Sequence, residues 1–125
     1  MVLVDTSVWI RFLLNRGGYG RELQELLAAG RVAGHEFVYG ELLIGDKGGR
    51  SRLLADYGRM RQARRVAHEE VVEFVRARRL NGRGAGWIDI HLLASALAEG
   101  YALWTADPRL AALAEELGCG YRAGL

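Results

Sequence analysis

Short apolar segments alternate with longer helical segments along the chain, and this alternation constrains the fold more than any other feature. The first apolar segment, Val2–Val4, is short and β-branched and stops at Asp5, a pattern that predicts a buried strand. Four further short strands are predicted, at residues 31–33, 66–67, 101–105 and 119–122. Because helical segments separate them, the strands predict an α/β layered fold with a mostly parallel sheet.

The helical segments are recognised by apolar residues spaced three and four apart, as Leu23, Leu26 and Leu27 are. Thr6 and Ser7 are good caps for the first helix, and Gly17 and Gly18 are predicted to end it. The first predicted helix begins at residue 8, and the others span 22–29, 35–44, 51–61, 69–80, 89–98 and 109–117.

Length and composition predict one domain spanning residues 1–125, because 125 residues is a common domain size. A hydrophobic fraction of 50% and a single proline argue against a disordered chain. One cysteine excludes an internal disulfide and a four-cysteine metal site. Apolar stretches are far shorter than a membrane span, and no basic segment precedes an apolar one at the N-terminus. We therefore expect a cytoplasmic protein without a membrane segment.

Positive charge is concentrated in the middle of the chain. Between Lys47 and Arg83 there are 11 cations and four acids, whereas the rest of the chain has 6 cations and 11 acids. Arginine pairs with phosphate in a bidentate manner, so this segment suits a polyanionic partner. A solvated arginine-rich face is an equally good interpretation. The candidate RNA-binding residues are Arg65, Arg78, Arg79 and Arg83.

Four acidic residues occupy positions where acids are unexpected. Asp5 and Asp107 follow predicted strands, and ligand sites of parallel sheets form at the carboxyl ends of strands. Glu41 and Asp89 lie on the apolar stripes of their helices. Asp5 could simply be a helix cap, Asp107 a turn residue and Asp89 an acid that favours the helix dipole. Glu41, in the middle of a helix, has no such alternative.

Clustered carboxylates on buried faces repel one another and raise one another's pKa, and a hard divalent cation removes both costs. Oxygen ligands without a convergent Cys or His pair select Mg²⁺, with Mn²⁺ as a possible substitute. Four such acids can hold one ion, or two at roughly 3.5–4 Å separation. Such sites hydrolyse phosphodiesters with a metal-activated water.

Four segments together resemble the motifs of PIN-domain nucleases of the VapC type, the toxins of VapBC toxin–antitoxin pairs. They are residues 4–10 (VDTSVWI), 37–45 (FVYGELLIG), 87–96 (WIDIHLLASA) and 103–107 (LWTAD). The resemblance implies a three-layer α/β/α sandwich, a homodimer, and a Mg²⁺-dependent endoribonuclease inhibited by a VapB-type antitoxin. It implies that Asp5, Glu41, Asp89 and Asp107 are the catalytic and metal-binding residues, supported by Ser7 and Thr105.

Two other classes of function compete with the metal-dependent ribonuclease. A catalytically silent PIN-like module, binding RNA or protein, would lack one or more of the four acids. An aspartyl phosphotransfer domain also places acids at strand ends, but it usually needs a late lysine, and the only lysine here is Lys47.

The aromatic residues divide by context. Trp9 and Trp104 lie within apolar segments and are predicted to pack in the core. Trp87 follows a glycine-rich loop, residues 82–86, and is the better candidate for an exposed aromatic side chain. The loop itself is either a basic rim of the site or a plain connector. Cys119 is predicted to be buried and reduced. His91, two residues after Asp89, points away from it and is predicted to pack on its helix face or to contact the site only indirectly.

Overall fold

The sheet of the molecule has three parallel strands. The computed structural model describes residues 1–15 and 17–124. In it, β1 (Val2–Val4) lies between β2 (Val32–Ala33) and β3 (Ala102–Trp104), with Val2 opposite both Val32 and Ala102. Helices cover this sheet, so the predicted α/β/α sandwich is confirmed.

Helices form in all seven segments where the sequence predicts them, with ends that differ by at most three residues. The largest difference is at α2, which starts three residues before the predicted Glu22. Their bounds are α1 Thr6–Leu13, α2 Tyr19–Ala28, α3 Glu36–Ile44, α4 Ser51–Arg59, α5 His68–Arg78, α6 Trp87–Glu99 and α7 Pro108–Glu116.

Two of the predicted strands are not formed as strands. Residues 66–67 are outside the sheet, and a single parallel bridge joins Gly34 to Gln62 instead. Val66 is buried, so its apolar character reflects core packing and not strand pairing. At residues 119–122 only Gly120 pairs, through one bridge to Leu103.

Gly34 shows why the chain comes so close to itself at the edge of the sheet. Its N–H donates to the carbonyl oxygen of Arg61, and its own carbonyl accepts from the N–H of Ala63, both at 2.7 Å. A Cβ at this position would lie 2.5 Å from Nε2 of Gln62 and 3.0 Å from the ring of Tyr57. A larger residue at this position would require the Gln62 amide and the Tyr57 ring to move.

Apolar side chains from the sheet and the helices on it form one core cluster among the described residues. Residues 90–96 of α6 are all buried, so this helix is apolar on almost every side. Trp9 and Trp104 are in the core, and Cys119 is buried and free, as predicted. Across residues 1–15 and 17–124, no helix combines the length and the apolar character that crossing a membrane requires.

Candidate active site

Asp5 ends β1 and is 4% exposed. Its N–H donates to the carbonyl oxygen of Trp104 at 2.8 Å, which continues the pairing with β3. By position Asp5 is the N-cap of α1, but its side chain makes no capping bond. Instead, its Oδ2 accepts hydrogen bonds from the hydroxyls of Ser7 and Thr105, each at 2.7 Å. The buried carboxylate is therefore oriented by two hydroxyl donors and does not serve as a helix cap.

Ser7 and Thr105 connect Asp5 to the chain that follows β3. Their hydroxyl oxygens are 3.3 Å apart. The N–H of Ala106 donates to Oγ of Ser7 at 2.9 Å, and the N–H of Asp107 donates to Oγ1 of Thr105 at 3.0 Å. Because each hydroxyl accepts one backbone bond and donates to Asp5, the network ties β1, α1 and the β3–α7 connection together. Both residues predicted to support Asp5 thus contact it.

Glu41 lies in the middle of α3 and is half-buried. Its Oε1 accepts a hydrogen bond from Oγ1 of Thr6 at 2.7 Å. The sequence predicts Thr6 only as a helix cap, but it is a residue of the site, one position after Asp5. The position of a hydroxyl next to a strand-end acid was the signal that could have identified it.

Asp89 and Asp107 both lie at the starts of helices, which agrees with the helix-dipole interpretation of Asp89, whereas Asp107 is a helix cap and not simply a turn residue. Asp89 lies in the first turn of α6, where its Oδ2 accepts from the N–H of Gly86 at 3.0 Å. Asp107 is the N-cap of α7, and its Oδ1 accepts from the N–H of Arg109 at 2.9 Å. These bonds fix the two half-buried carboxylates in place without neutralising them.

The electrostatics of Asp89 show that the four acids form one cluster. Burial raises the pKa of Asp89, and the hydrogen bond from Gly86 partly opposes this shift. The negative charges of Asp5, Asp107 and Glu41 raise the pKa further. The structure therefore brings the other three predicted acids close enough to Asp89 to disfavour its ionised form. We call these four residues the acid cluster.

The donor chemistry of the acid cluster fits a hard divalent cation, since every donor is an oxygen atom. No three acidic, histidine or cysteine side chains among the described residues are arranged to hold one ion together. Mg²⁺ usually takes one or two carboxylates directly and keeps several water molecules. The oxygen donors of the cluster thus fit the chemistry of Mg²⁺, although the described residues do not present three ligands already arranged around one ion.

The four candidate RNA-binding arginines do not lie in equivalent environments. Arg65 forms an ion pair with Glu36 at 2.9 Å, and Arg83 donates to both carboxylate oxygens of Glu116 at 2.9 and 3.0 Å. Arg78 and Arg79 are exposed at the C-terminal end of α5. Half of the predicted set is thus paired with acids of this chain.

His35 joins the two helices that hold Glu41 and Asp89. It is fully buried at the N-cap of α3, where its Nδ1 accepts from the N–H of Phe37 at 3.0 Å. Nδ1 is therefore unprotonated, and Nε2 donates to Oγ of Ser95 on α6 at 3.0 Å. Burial is the main cause that lowers the pKa of His35 to about 4, so the ring stays neutral near pH 7.

His91 lies on a different side of α6 from Asp89. It is buried, and its ring packs edge-on against Phe37 and Trp87, with centroid distances of 4.9 and 5.0 Å. Burial lowers its pKa, and the charges of His68 and Arg65 lower it further. Trp87 is 43% exposed, as the sequence predicts. The packing of Phe37, Trp87 and His91 against one another was not anticipated from the sequence.

Two comparisons with known proteins agree with this geometry. The family model of the PIN domain matches residues 2–116. Ribonuclease VapC32 of Mycobacterium tuberculosis, from strain H37Rv and from strain CDC 1551 / Oshkosh, is 44% identical over 119 residues, which is 94% of each chain. The matched region contains the whole acid cluster and the sheet on which it is built. The chain therefore belongs to the PIN-domain family and, within that family, to the VapC type.

Proposed function

We propose that this protein is an endoribonuclease that hydrolyses RNA phosphodiester bonds with the help of Mg²⁺. The observation that carries the proposal is the acid cluster, in which the pKa of Asp89 is raised by burial and by three neighbouring carboxylates. Such a cluster destabilises the folded protein unless a cation is bound. The ribonuclease name of the M. tuberculosis relative supports RNA as the substrate.

In this proposal Asp5, Glu41, Asp89 and Asp107 hold the metal, directly or through water. A Mg²⁺ ion bound there, or Mn²⁺ in its place, would activate water and neutralise the negative charge that develops on the phosphate. The hydroxyls of Ser7 and Thr105 donate to Asp5 and fix its orientation. The hydroxyl of Thr6 donates to Glu41 and orients it in the same way.

We further propose that a VapB-type antitoxin inhibits the enzyme, that the active form is a homodimer, and that the protein acts in the cytoplasm. The sequence suggests antitoxin contacts near Leu13, Leu14, Leu53 and Leu54. Leu13 and Leu14 are 38% and 54% exposed and can form part of such a surface. Leu54 is buried in the core and cannot.

A silent PIN-like module that binds RNA without cleaving it is the alternative. One observation favours it: no three ligand side chains in residues 1–15 and 17–124 are arranged to hold one metal ion. The two functions differ in a single measurable property, which is strand cleavage that depends on a divalent cation.

The decisive experiment is a Mg²⁺ titration of RNA cleavage by the purified chain. The wild type and Asp56→Asn, which changes an exposed acid outside the cluster, should cleave labelled single-stranded RNA only when Mg²⁺ or Mn²⁺ is present. Asp89→Asn should not cleave. Mg²⁺ should also raise the melting temperature of the wild type more than that of Asp89→Asn. RNA binding without cation-dependent cleavage would establish the silent module instead, and equal cleavage by all three proteins would reveal a contaminating nuclease.

A further inference from the structure

An open cleft of about 420 Å³ lies beside the acid cluster, between the N-terminal ends of α5 and α6. Its volume is within the roughly 300–1,000 Å³ that small-ligand sites occupy. The side chains that line it are mostly aromatic or cationic and include Phe37, Arg65, His68, Trp87 and His91. We call it the aromatic cleft.

Trp87 is the exposed tryptophan in this lining. It is 43% exposed, whereas the other two tryptophans, Trp9 and Trp104, are 1% and 3% exposed. Trp87 also lines a second cleft, of about 430 Å³, with Val75 and Asn81. The indole therefore borders open space in two directions. His68 lies next to it, with a ring centroid distance of 5.3 Å.

The aromatic cleft approaches the acid cluster through α3. Trp87 and His91, each two residues from Asp89, lie on a different side of α6 from it. Phe37 lines the aromatic cleft and also a smaller cleft of about 270 Å³, which Glu41 and Ile88 line as well. Phe37 is one turn before Glu41 on the same face of α3, so this side chain links the aromatic cleft to the acid cluster.

The polar groups of the cleft indicate a ligand that is not purely apolar. Nδ1 of His91 is buried and has no hydrogen-bond partner in the described part of the chain. Buried polar atoms are nearly always satisfied, so this nitrogen is an unusual polar group in a residue of the cleft wall. The guanidinium of Arg65 lies 6.0 Å from the centroid of Phe37 and supplies positive charge at the edge of the cleft.

We propose that the aromatic cleft binds one nucleobase of single-stranded RNA, next to the phosphate that is cleaved. The base stacks on Trp87 beside His68, and Arg65 faces its sugar-phosphate backbone. Every nucleobase has a π-face, and proteins that bind single-stranded nucleic acids commonly stack bases on aromatic side chains. This inference rests on the proposed ribonuclease function, and it adds the subsite that selects single-stranded RNA.

The first test measures binding and needs no cleavage. Because Trp87 is the exposed tryptophan, its fluorescence should be quenched by nucleoside monophosphates and not by ribose 5-phosphate, which has the phosphate but no base. Trp87→Phe should lose most of the quenching, which assigns the signal to this residue. If ribose 5-phosphate quenches as strongly as the nucleotides do, the cleft binds phosphate and the inference is wrong.

The second test measures cleavage of single-stranded RNA. Trp87→Ala and His68→Ala should each raise KM roughly tenfold, with kcat nearly unchanged, because the stacked base contributes to substrate binding. His68 is on α5, so its variant leaves the helix of Asp89 intact and keeps the test valid if Trp87→Ala is unstable. Leu43→Ala, which shortens an exposed apolar side chain outside the cleft, should behave as the wild type.

The outcomes separate the inference from the proposed function. If the wild type cleaves RNA while both variants keep its KM and nucleotides do not quench, the base subsite is wrong and the ribonuclease stands. If nucleotides quench and no cleavage occurs with any divalent cation, the subsite stands and the ribonuclease is wrong. If Trp87→Ala and His68→Ala no longer bind a co-expressed antitoxin but keep the KM for RNA, the cleft is a contact surface for the antitoxin and the inference is wrong.

Discussion

The acid cluster and the arginine-rich segment, residues 47–83, are both defined by charge, but the fold treats them in opposite ways. The acids come from four distant parts of the chain, and three of them act electrostatically on the fourth, Asp89. The arginines come from one continuous stretch, and the fold separates them. Arg65 pairs with Glu36 on α3, and Arg83 pairs with Glu116 on α7. A local excess of charge in a sequence is therefore weaker evidence for a site than a few charges placed on buried faces.

Free energy explains this difference. Burying a carboxylate is unfavourable unless hydrogen bonds or a cation compensate it, so Asp5, at 4% exposure, requires the donors that Ser7 and Thr105 provide. An exposed ion pair contributes only about 0–1 kcal/mol. An arginine can therefore change partners at the surface with little effect on the fold, whereas the acid cluster cannot be rearranged without cost.

The largest effect that tests this contrast should come from Asp5→Asn. The amide keeps the shape of the side chain but removes the charge, and it can present an N–H to the hydroxyls that now donate to Oδ2. If Asp5 holds the metal, cleavage should fall about 1,000-fold, since metal catalysis contributes several kcal/mol. Single-turnover cleavage at saturating Mg²⁺ measures this loss. Activity within tenfold of the wild type would remove Asp5 from the catalytic residues.

The next effect concerns His35, which ties α3 to α6 beneath the cluster. Its pKa is lowered to about 4 from the usual 6.5, chiefly by burial, so between these values the unfolded chain binds a proton that the folded chain does not. The free energy of unfolding should be highest above about pH 6.5 and should fall by about 3 kcal/mol in total as the pH decreases to about 4. His35→Asn keeps a good helix cap and should lack this loss.

Urea unfolding of the wild type and His35→Asn at several pH values tests this expectation. The free energies of unfolding should converge toward low pH and diverge toward neutrality. His68→Asn, which replaces an exposed histidine on α5, is the control and should follow the wild type. Parallel curves for the wild type and His35→Asn would show that His35 is not the group that titrates.

Much of the fold and of the acid cluster could be predicted from the sequence, because both depend on the burial of particular residues. Asp5 follows an apolar strand, and Glu41 lies on an apolar stripe, so each is marked by its neighbours. Residues 66–67 were misassigned for the same reason: burial of Val66 looks like strand pairing when no partner strand is known. The pairing of Arg83 with Glu116, 33 positions away, depends on tertiary structure and leaves no local pattern.

The role of Thr6 and the His35–Ser95 hydrogen bond were also beyond local patterns. A hydroxyl at the start of a helix is usually a cap, and only the packing of α3 against α1 makes Thr6 a partner of Glu41 instead. His35 and Ser95 are 60 positions apart, and each alone is an ordinary residue of a helix. Such pairs become visible only when the helices are placed side by side.

A smaller effect should follow the loss of one hydroxyl beside Asp5. Thr105→Val keeps the shape of the side chain but removes the donor to Asp5 and the acceptor of the Asp107 N–H. Groups that orient metal ligands typically contribute about 10–100-fold to metal affinity or activity. We expect the Mg²⁺ concentration for half-maximal cleavage to rise by a factor in this range. Thr105→Ser restores the hydroxyl and should recover most of the loss, whereas a merely structural defect would not be rescued.

The smallest effect should distinguish the arginines from one another. Arg78 and Arg79 are exposed at the end of α5, whereas Arg65 and Arg83 must first release Glu36 and Glu116. If Arg78 and Arg79 contact phosphates, Arg78→Gln and Arg79→Gln should each lower the slope of log affinity against log salt by about 0.7, the value per single-strand contact. Arg65→Gln and Arg83→Gln should lower it less, because a salt-bridged arginine is already partly neutralised.

RNA binding measured from low to high salt gives the four slopes. Equal slopes for all four variants would show that the ion pairs open at no cost, and a wild-type affinity independent of salt would show that the arginine-rich segment is a solvated face or an antitoxin contact.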